Sequence, residues 1–224
     1  AFDMEKITKA GHNMGCLVGF DLAHGAGNLE LNLHDWNVDF SVWCTYKYMN
    51  SGPGGIAGCF VHERHLKLKD LRRFAGWWGH DKASRFLMDD TFVPIPSAEG
   101  WQMSNETVLS MAALKASLEI FDEVGMKVLI KKSRLLTAYL EYLIESLDTN
   151  RIQIVSPKEP ACRGAQLSIR VLNSDRSLFK IISEQGVIAD WREPDAIRIA
   201  PAPLYNNFSD VFNFVQIVKE ALGV

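Results

Sequence analysis

The 224 residues are 47% hydrophobic and 23% charged, with a formal net charge of -3. That balance is ordinary for a globular chain and carries no basic footprint for nucleic acid. No apolar run reaches the roughly 18 residues a membrane span needs, and the opening stretch AFDMEKITKAGHNMG lacks the layout of a secretion signal.

In chain order, residues 16–20 (CLVGF) form a short apolar run that ends at Asp21, with His24 beyond it. This predicts a buried strand leading into a loop. Residues 38–45 (VDFSVWCT) repeat the pattern and lead into Tyr46 and Lys47, and SGPGG then breaks the chain. Strand character resumes at 56–62. Three such strands suggest one side of a large α/β sheet. Residues 63–73 are charged and predict a helix, 76–79 (GWWG) a turn, and 86–103 irregular structure with Pro94 and Pro96. Ser104 offers an N-cap, with Glu106 and Thr107 in the first turn. Helical periodicity runs over 108–124 and, after Gly125, over 126–146. Strands are expected at 152–155, 166–172, 187–190 and 196–199, and helices at 177–185 and 208–222. The length suits one large domain or two small ones.

The chemistry-bearing set is Asp21, His24, Tyr46 and Lys47. A carboxylate at one strand end and a lysine just beyond a neighbouring strand is where open α/β sheets bind ligands. Spacing alone also fits two solvated charges. GPGGIA at 52–57 matches a dinucleotide fingerprint in form, but a strand-like run follows where a helix is required, so it reads as a tight turn. No His, Cys, Asp and Glu set has metal spacing. The four cysteines, Cys16, Cys44, Cys59 and Cys162, contain no C-x-x-C and read as reduced thiols of a cytoplasmic protein. The chain opens at Ala1 and is expected to be a piece of something longer.

The stretch FDLAHGAGNLELNLHDWNVDFSVWCTYKYMNSGPGGIAG closely resembles the cofactor-lysine region of kynureninases, members of the fold-type I pyridoxal phosphate (PLP) enzymes. The resemblance continues through GWWGH, GWQMSN and IRIAPAPLYN, and so spans almost the whole chain. It implies an α/β fold. Residues 1–107 would be the C-terminal part of the PLP-binding large domain, with a mixed, mostly parallel sheet. Residues 108–224 would be linking helices and a smaller α+β domain. It also implies PLP-dependent hydrolytic cleavage of kynurenine or 3-hydroxykynurenine to an anthranilate and alanine, by a homodimer, in tryptophan degradation and NAD synthesis.

Residue by residue, the resemblance makes Lys47 the Schiff-base lysine and proton shuttle. Asp21 becomes the partner of the pyridine nitrogen, and His24 a neighbour of the cofactor. Tyr46 becomes a phosphate contact and acid. Trp77 and Asn105 would close the phosphate site of the neighbouring subunit, Arg198 would grip the substrate carboxylate, and Ser104 would lie near the substrate ring. Plainer readings stay open beside these. His24 could be a satisfied core histidine. Trp77 and Trp78 could be packing aromatics. Arg198, between Ile197 and Ile199, could simply lie on the exposed face of a strand. Cys44 and Cys59 read as packing residues. A cysteine desulfurase-like lyase or an aminotransferase remains an alternative, with Cys162 in the EPACRG loop as the thiol a desulfurase would need. A non-catalytic product is another. The resemblance further implies an N-terminal half that supplies the main phosphate-binding loop, so the chain by itself is expected to bind PLP poorly and to be inactive.

Overall fold

The computed structural model describes residues 1–68, 70–172 and 176–224. They divide into two compact units, described separately: Phe2–Gly27 with Leu31–Glu123, and Val124–Val224 with Ala1 and Asn28–Glu30.

The N-terminal unit opens with helix α1 (Met4–Asn13), which the hydrophobic pattern did not announce. Its N-cap is Asp3, whose carboxylate accepts from the Lys6 backbone N–H at 3.0 Å. Strands β1 (Gly19–Asp21), β2 (Phe40–Cys44) and β3 (Ala57–Val61) follow. They lie in the order β1-β2-β3, β1 parallel to β2 and β2 antiparallel to β3. The sheet is therefore mixed. The register sets Asp21 beside Val42 and Val42 beside Cys59. Phe40 and Val42 alternate onto one face and are 46% and 49% exposed, so the described residues do not cover that face.

The expected helix over 63–73 shrinks to a 3-10 turn at Glu63–His65. The imidazole of His62 caps that turn, accepting from Arg64 N–H at 3.3 Å, and the Arg64 side chain is drawn away to Asp39. Lys69 lies outside the described residues. Helix α2 (Val108–Val124) starts later than a Ser104 cap would place it. Its first helical bond runs from Met111 N–H to the Thr107 carbonyl at 3.0 Å, so Thr107 holds the cap position. The compact units part between Glu123 and Val124. Nearly all of α2 belongs with the first, tied there by the Ser117 hydroxyl donating to the Met49 carbonyl at 2.5 Å.

The C-terminal unit begins after Gly125, whose φ of 82° turns the chain into α3 (Met126–Glu145). Strands β4 (Ile152–Ile154), β5 (Leu167–Val171), β6 (Asp190–Arg192) and β7 (Ala196–Ile199) form an antiparallel sheet in the order β4-β5-β7-β6. Helices α4 (Ser177–Glu184) and α5 (Phe208–Leu222) complete it. Strand β6 begins later than the 187–190 run suggests. Gly186 and Val187 bend back on α4, donating to the Ser183 and Ile182 carbonyls, and this closure consumes the start of the apolar run.

Alternation on β5 and β7 turns Leu167, Ile169, Val171, Ile197 and Ile199 inward, against Leu136, Leu140 and Ile144 of α3, Leu178 and Ile182 of α4, and Val211, Val215 and Val218 of α5. Each such buried aliphatic contributes about 1.5–3 kcal/mol, which makes this the better filled of the two units. A reciprocal cap fixes the start of α5: Asn207 accepts from Asp210 N–H at 3.1 Å, and Asp210 accepts from Asn207 N–H at 2.8 Å.

Candidate active site

Asp21 is the last residue of β1. Its carboxylate accepts from the Ala23 N–H at 2.8 Å, which turns the chain sharply towards His24. The ladder runs one residue further, from Leu22 N–H to the Val42 carbonyl at 2.8 Å. Tyr46 and Lys47 follow the end of the parallel neighbour β2. The loop that carries them is pinned at its base. Ser51 N–H donates to the Thr45 carbonyl at 3.1 Å, and the buried hydroxyls of Thr45 and Ser51 share a 2.7 Å hydrogen bond. Asn50 N–H closes the turn on the Lys47 carbonyl at 3.0 Å. Sequence reasoning passed over Thr45 and Ser51, although small hydroxyl residues flanking a breaker cluster are a signal for such a closure.

The two loops meet. Gly27, at φ 75°, lies so close to the second loop that a Cβ there would come within 2.8 Å of the Tyr48 carbonyl oxygen. The rings of His24 and Tyr48 stand edge to face with centroids 6.1 Å apart. The structure thus gathers Asp21, His24, Tyr46 and Lys47 at the carboxyl ends of two neighbouring parallel strands. The Lys47 ammonium lies 5.9 Å from the Tyr46 ring centroid. Tyr46 is half exposed, and hydrogen bonding to the Cys44 thiol pushes its hydroxyl above its ordinary value.

Trp77 opens the 3-10 turn Trp77–Gly79 and is 55% exposed, with its indole N–H donating to the Arg85 carbonyl at 3.2 Å. The Arg85 guanidinium lies 4.6 Å from the ring centroid of Trp78, which is also exposed. The backbone at Gly76 packs so tightly on Met103 that a Cβ would meet its Cα at 2.1 Å, which brings this turn beside the exposed Ser104 and Asn105. The Ser104 hydroxyl donates to the Asn105 side-chain oxygen at 3.3 Å. Among the described residues no hydrogen bond or ring contact joins Trp77, Ser104 or Asn105 to Lys47. Arg198 belongs to the C-terminal unit, on the sheet face turned away from the helices. There it is ion-paired with Asp190, a residue the sequence reading did not single out. Cys162 is exposed in the 3-10 turn Pro160–Cys162. Among the described residues, no group of three or more His, Cys, Asp and Glu is arranged to hold a metal ion, and no helix is long and apolar enough to cross a membrane.

A family profile described as Kynureninase C-terminal domain matches residues 129–218. The kynureninase of Koribacter versatilis is 56% identical over 216 residues, covering 96% of this chain and 51% of that protein. Kynureninase of Myxococcus xanthus is 56% identical over 219 residues, covering 98% and 51%. Over nearly its whole length the chain is similar to the C-terminal half of kynureninases. It spans about half the length of the curated relatives it matches. Among solved structures, a cysteine desulfurase from Escherichia coli superposes with a TM-score of 0.77 at 19% identity, covering 99% of this chain and 55% of that one. A cysteine desulfurase from Thermococcus onnurineus gives 0.78 at 15%, covering 99% and 56%. At those identities the likeness shows the fold, that of the fold-type I PLP enzymes. A further neighbour of that fold, a variant of the lyase C-DES with a TM-score of 0.67 at 16% identity, covering 88% of this chain and 49% of that one, carries glycine linked to its PLP cofactor. The residues at the β1 and β2 ends have the chemistry the cofactor needs, a carboxylate for a pyridinium N–H and a primary amine for an aldehyde.

Proposed function

We propose that this chain supplies the lysine-bearing half of a PLP-dependent kynureninase, which hydrolyses L-kynurenine or 3-hydroxykynurenine to an anthranilate and L-alanine. The observation that carries the proposal is the pairing of Asp21 and Lys47 at adjacent carboxyl ends of parallel strands, on loops locked together at Gly27 and Tyr48. When bound, the cofactor withdraws the electron pair released at the substrate Cα. The Asp21 carboxylate would accept the hydrogen bond of the pyridinium and keep the ring charged. Lys47 would hold the cofactor through its amine and, once substrate takes that place, would carry the proton taken from Cα. Tyr46 is the acid, directly or through a water, as water adds to the γ-carbonyl and the Cβ–Cγ bond breaks. His24 flanks the cofactor. Arg198 grips the α-carboxylate, and Ser104 lies near the aromatic ring of the substrate. Trp77 and Asn105, exposed on one turn and its neighbour, close the phosphate site of a second copy in a homodimer. The role belongs to cytoplasmic tryptophan degradation towards NAD, with residues 1–107 in the cofactor domain and 108–224 in linking helices and a small domain.

The test is Lys47→Ala in the complete enzyme, assayed with kynurenine and 3-hydroxykynurenine. Turnover and the visible absorbance of lysine-bound cofactor should both vanish, and retained turnover would sink the assignment. The chain by itself is expected to take up PLP only weakly and to turn over nothing.

A further inference from the structure

On the outward face of the C-terminal sheet, Asp190 of β6 stands directly across from Arg198 of β7. The Arg198 guanidinium donates through Nε and Nη2 to one oxygen, Asp190 Oδ2, with the Nε bond at 2.8 Å. Arg192, also on β6, brings its Nη2 to that same oxygen at 3.0 Å. The cluster is partly shielded, with 28% of the Arg198 side chain and 43% of the Asp190 side chain exposed. The Arg198 hydrogen bond, foremost, holds the Asp190 carboxyl below the usual carboxylate range, so the pair is ionised at neutral pH.

A guanidinium has two edges that can grip a carboxylate, a side edge of Nε and Nη2 and an end edge of Nη1 and Nη2. Asp190 takes the side edge. The end edge remains, and Nη1 has no hydrogen-bond partner among the described residues. One carboxylate shared by two guanidiniums also leaves the cluster with a net positive charge, so a second anion is still attracted.

We propose that Asp190 is a positioning residue: it fixes the plane of the Arg198 guanidinium so that the end edge is already set to receive the substrate α-carboxylate. This rests on the reading of Arg198 given above. A long side chain ordered before the substrate arrives loses less freedom on binding, and a fixed carboxylate fixes which bond at Cα faces the reacting groups.

The experiment is a double-mutant cycle in the full-length holoenzyme: the parent, Asp190→Asn, Arg198→Ala and the double variant, each with KM and kcat for L-kynurenine and a melting temperature. Asp190→Asn should raise KM about tenfold, affect kcat less, and leave melting unchanged. Added to Arg198→Ala, it should leave KM where Arg198→Ala alone put it. An equal rise in both backgrounds, or no rise in either, overturns the inference while sparing the role of Arg198. If Arg198→Ala itself leaves KM unchanged, the carboxylate reading falls and takes this inference with it. Asp190→Ser carries the same cycle should the Asn variant fail to accumulate.

Discussion

The three-stranded sheet of the N-terminal unit has an aspartate at each end, and the two are treated in opposite ways. Asp39, just before β2, is 2% exposed and crowded with partners. Its Oδ2 accepts from Val18 N–H at 2.6 Å and meets His12 Nε2 at 2.8 Å. Its Oδ1 meets His65 Nε2 and Arg64 Nη2, both at 2.7 Å. Helix α1, the start of β1, the start of β2 and the turn after β3 are all tied to that one carboxylate. Asp21, at the other end, is exposed and has one local backbone donor. A buried charge with every lone pair engaged holds structure together, and removing it strands its partners. An exposed carboxylate with a single backbone donor does little for the fold and remains available to a ligand. Charge at the amino ends of the parallel strands β1 and β2 serves stability, and charge at their carboxyl ends serves chemistry.

Exchanging the two effects is the sharpest way to break this comparison. In the complete enzyme Asp21→Ala should cost turnover on the order of a thousandfold, about 4 kcal/mol of barrier, with the melting temperature unmoved. A large fall in melting temperature would place Asp21 with the structural end. Asp39→Asn should do the reverse and destabilise by about 3–5 kcal/mol, the range for breaking a buried ion pair, read from the denaturant midpoint. The cofactor absorbance of whatever remains folded should be normal.

The pH dependence sharpens the same point. Burial alone would push the Asp39 carboxyl up, but the Val18 N–H, His12, His65 and Arg64 together pull it far below the usual range. A carboxyl whose folded value lies under its unfolded value stabilises the fold above about pH 3.9, and that stability is lost as the pH falls towards the folded value. Acid unfolding should therefore steepen below about pH 4 in the parent and lose that limb in Asp39→Asn. Equal acid limbs in the two proteins would refute the assignment.

The chemical end of the sheet was the more legible in the sequence. Asp21 and Lys47 follow apolar runs and precede breakers, and a strand end is marked locally by both. The Asp39 knot was not legible, because its members are scattered over His12, Val18, Asp39, Arg64 and His65 and meet only when three strands and a helix assemble. No periodicity encodes that. The same limit hid Asp190, whose meaning depends on a hairpin register. It also displaced the Ser104 cap, since three further residues stay outside the helix, which begins at Val108. Short strands and long helices were found where alternation and the 3.6-residue repeat are strong, as in β5 and α5. The helix expected at 63–73 failed where a tertiary ion pair to Asp39 captured its second residue.

The smallest effect is expected beside the knot, and it tests whether proximity to Asp39 is enough to matter. His34 stacks on the buried His62 with ring centroids 4.9 Å apart, yet its own side chain is 60% exposed. Hydrogen bonding to Asp35, then to Glu63, raises its affinity for a proton, whereas burial, foremost, lowers that of His62. A histidine raised in the folded state stabilises below its unfolded value and loses that contribution as the pH rises through the folded one. Its partners are solvated, so the contribution is weak. His34→Ala should thus shift melting within replicate error at both pH 6 and pH 8. A shift comparable to that of Asp39→Asn would mean that the stacked pair, and not the carboxylate, anchors this end of the sheet.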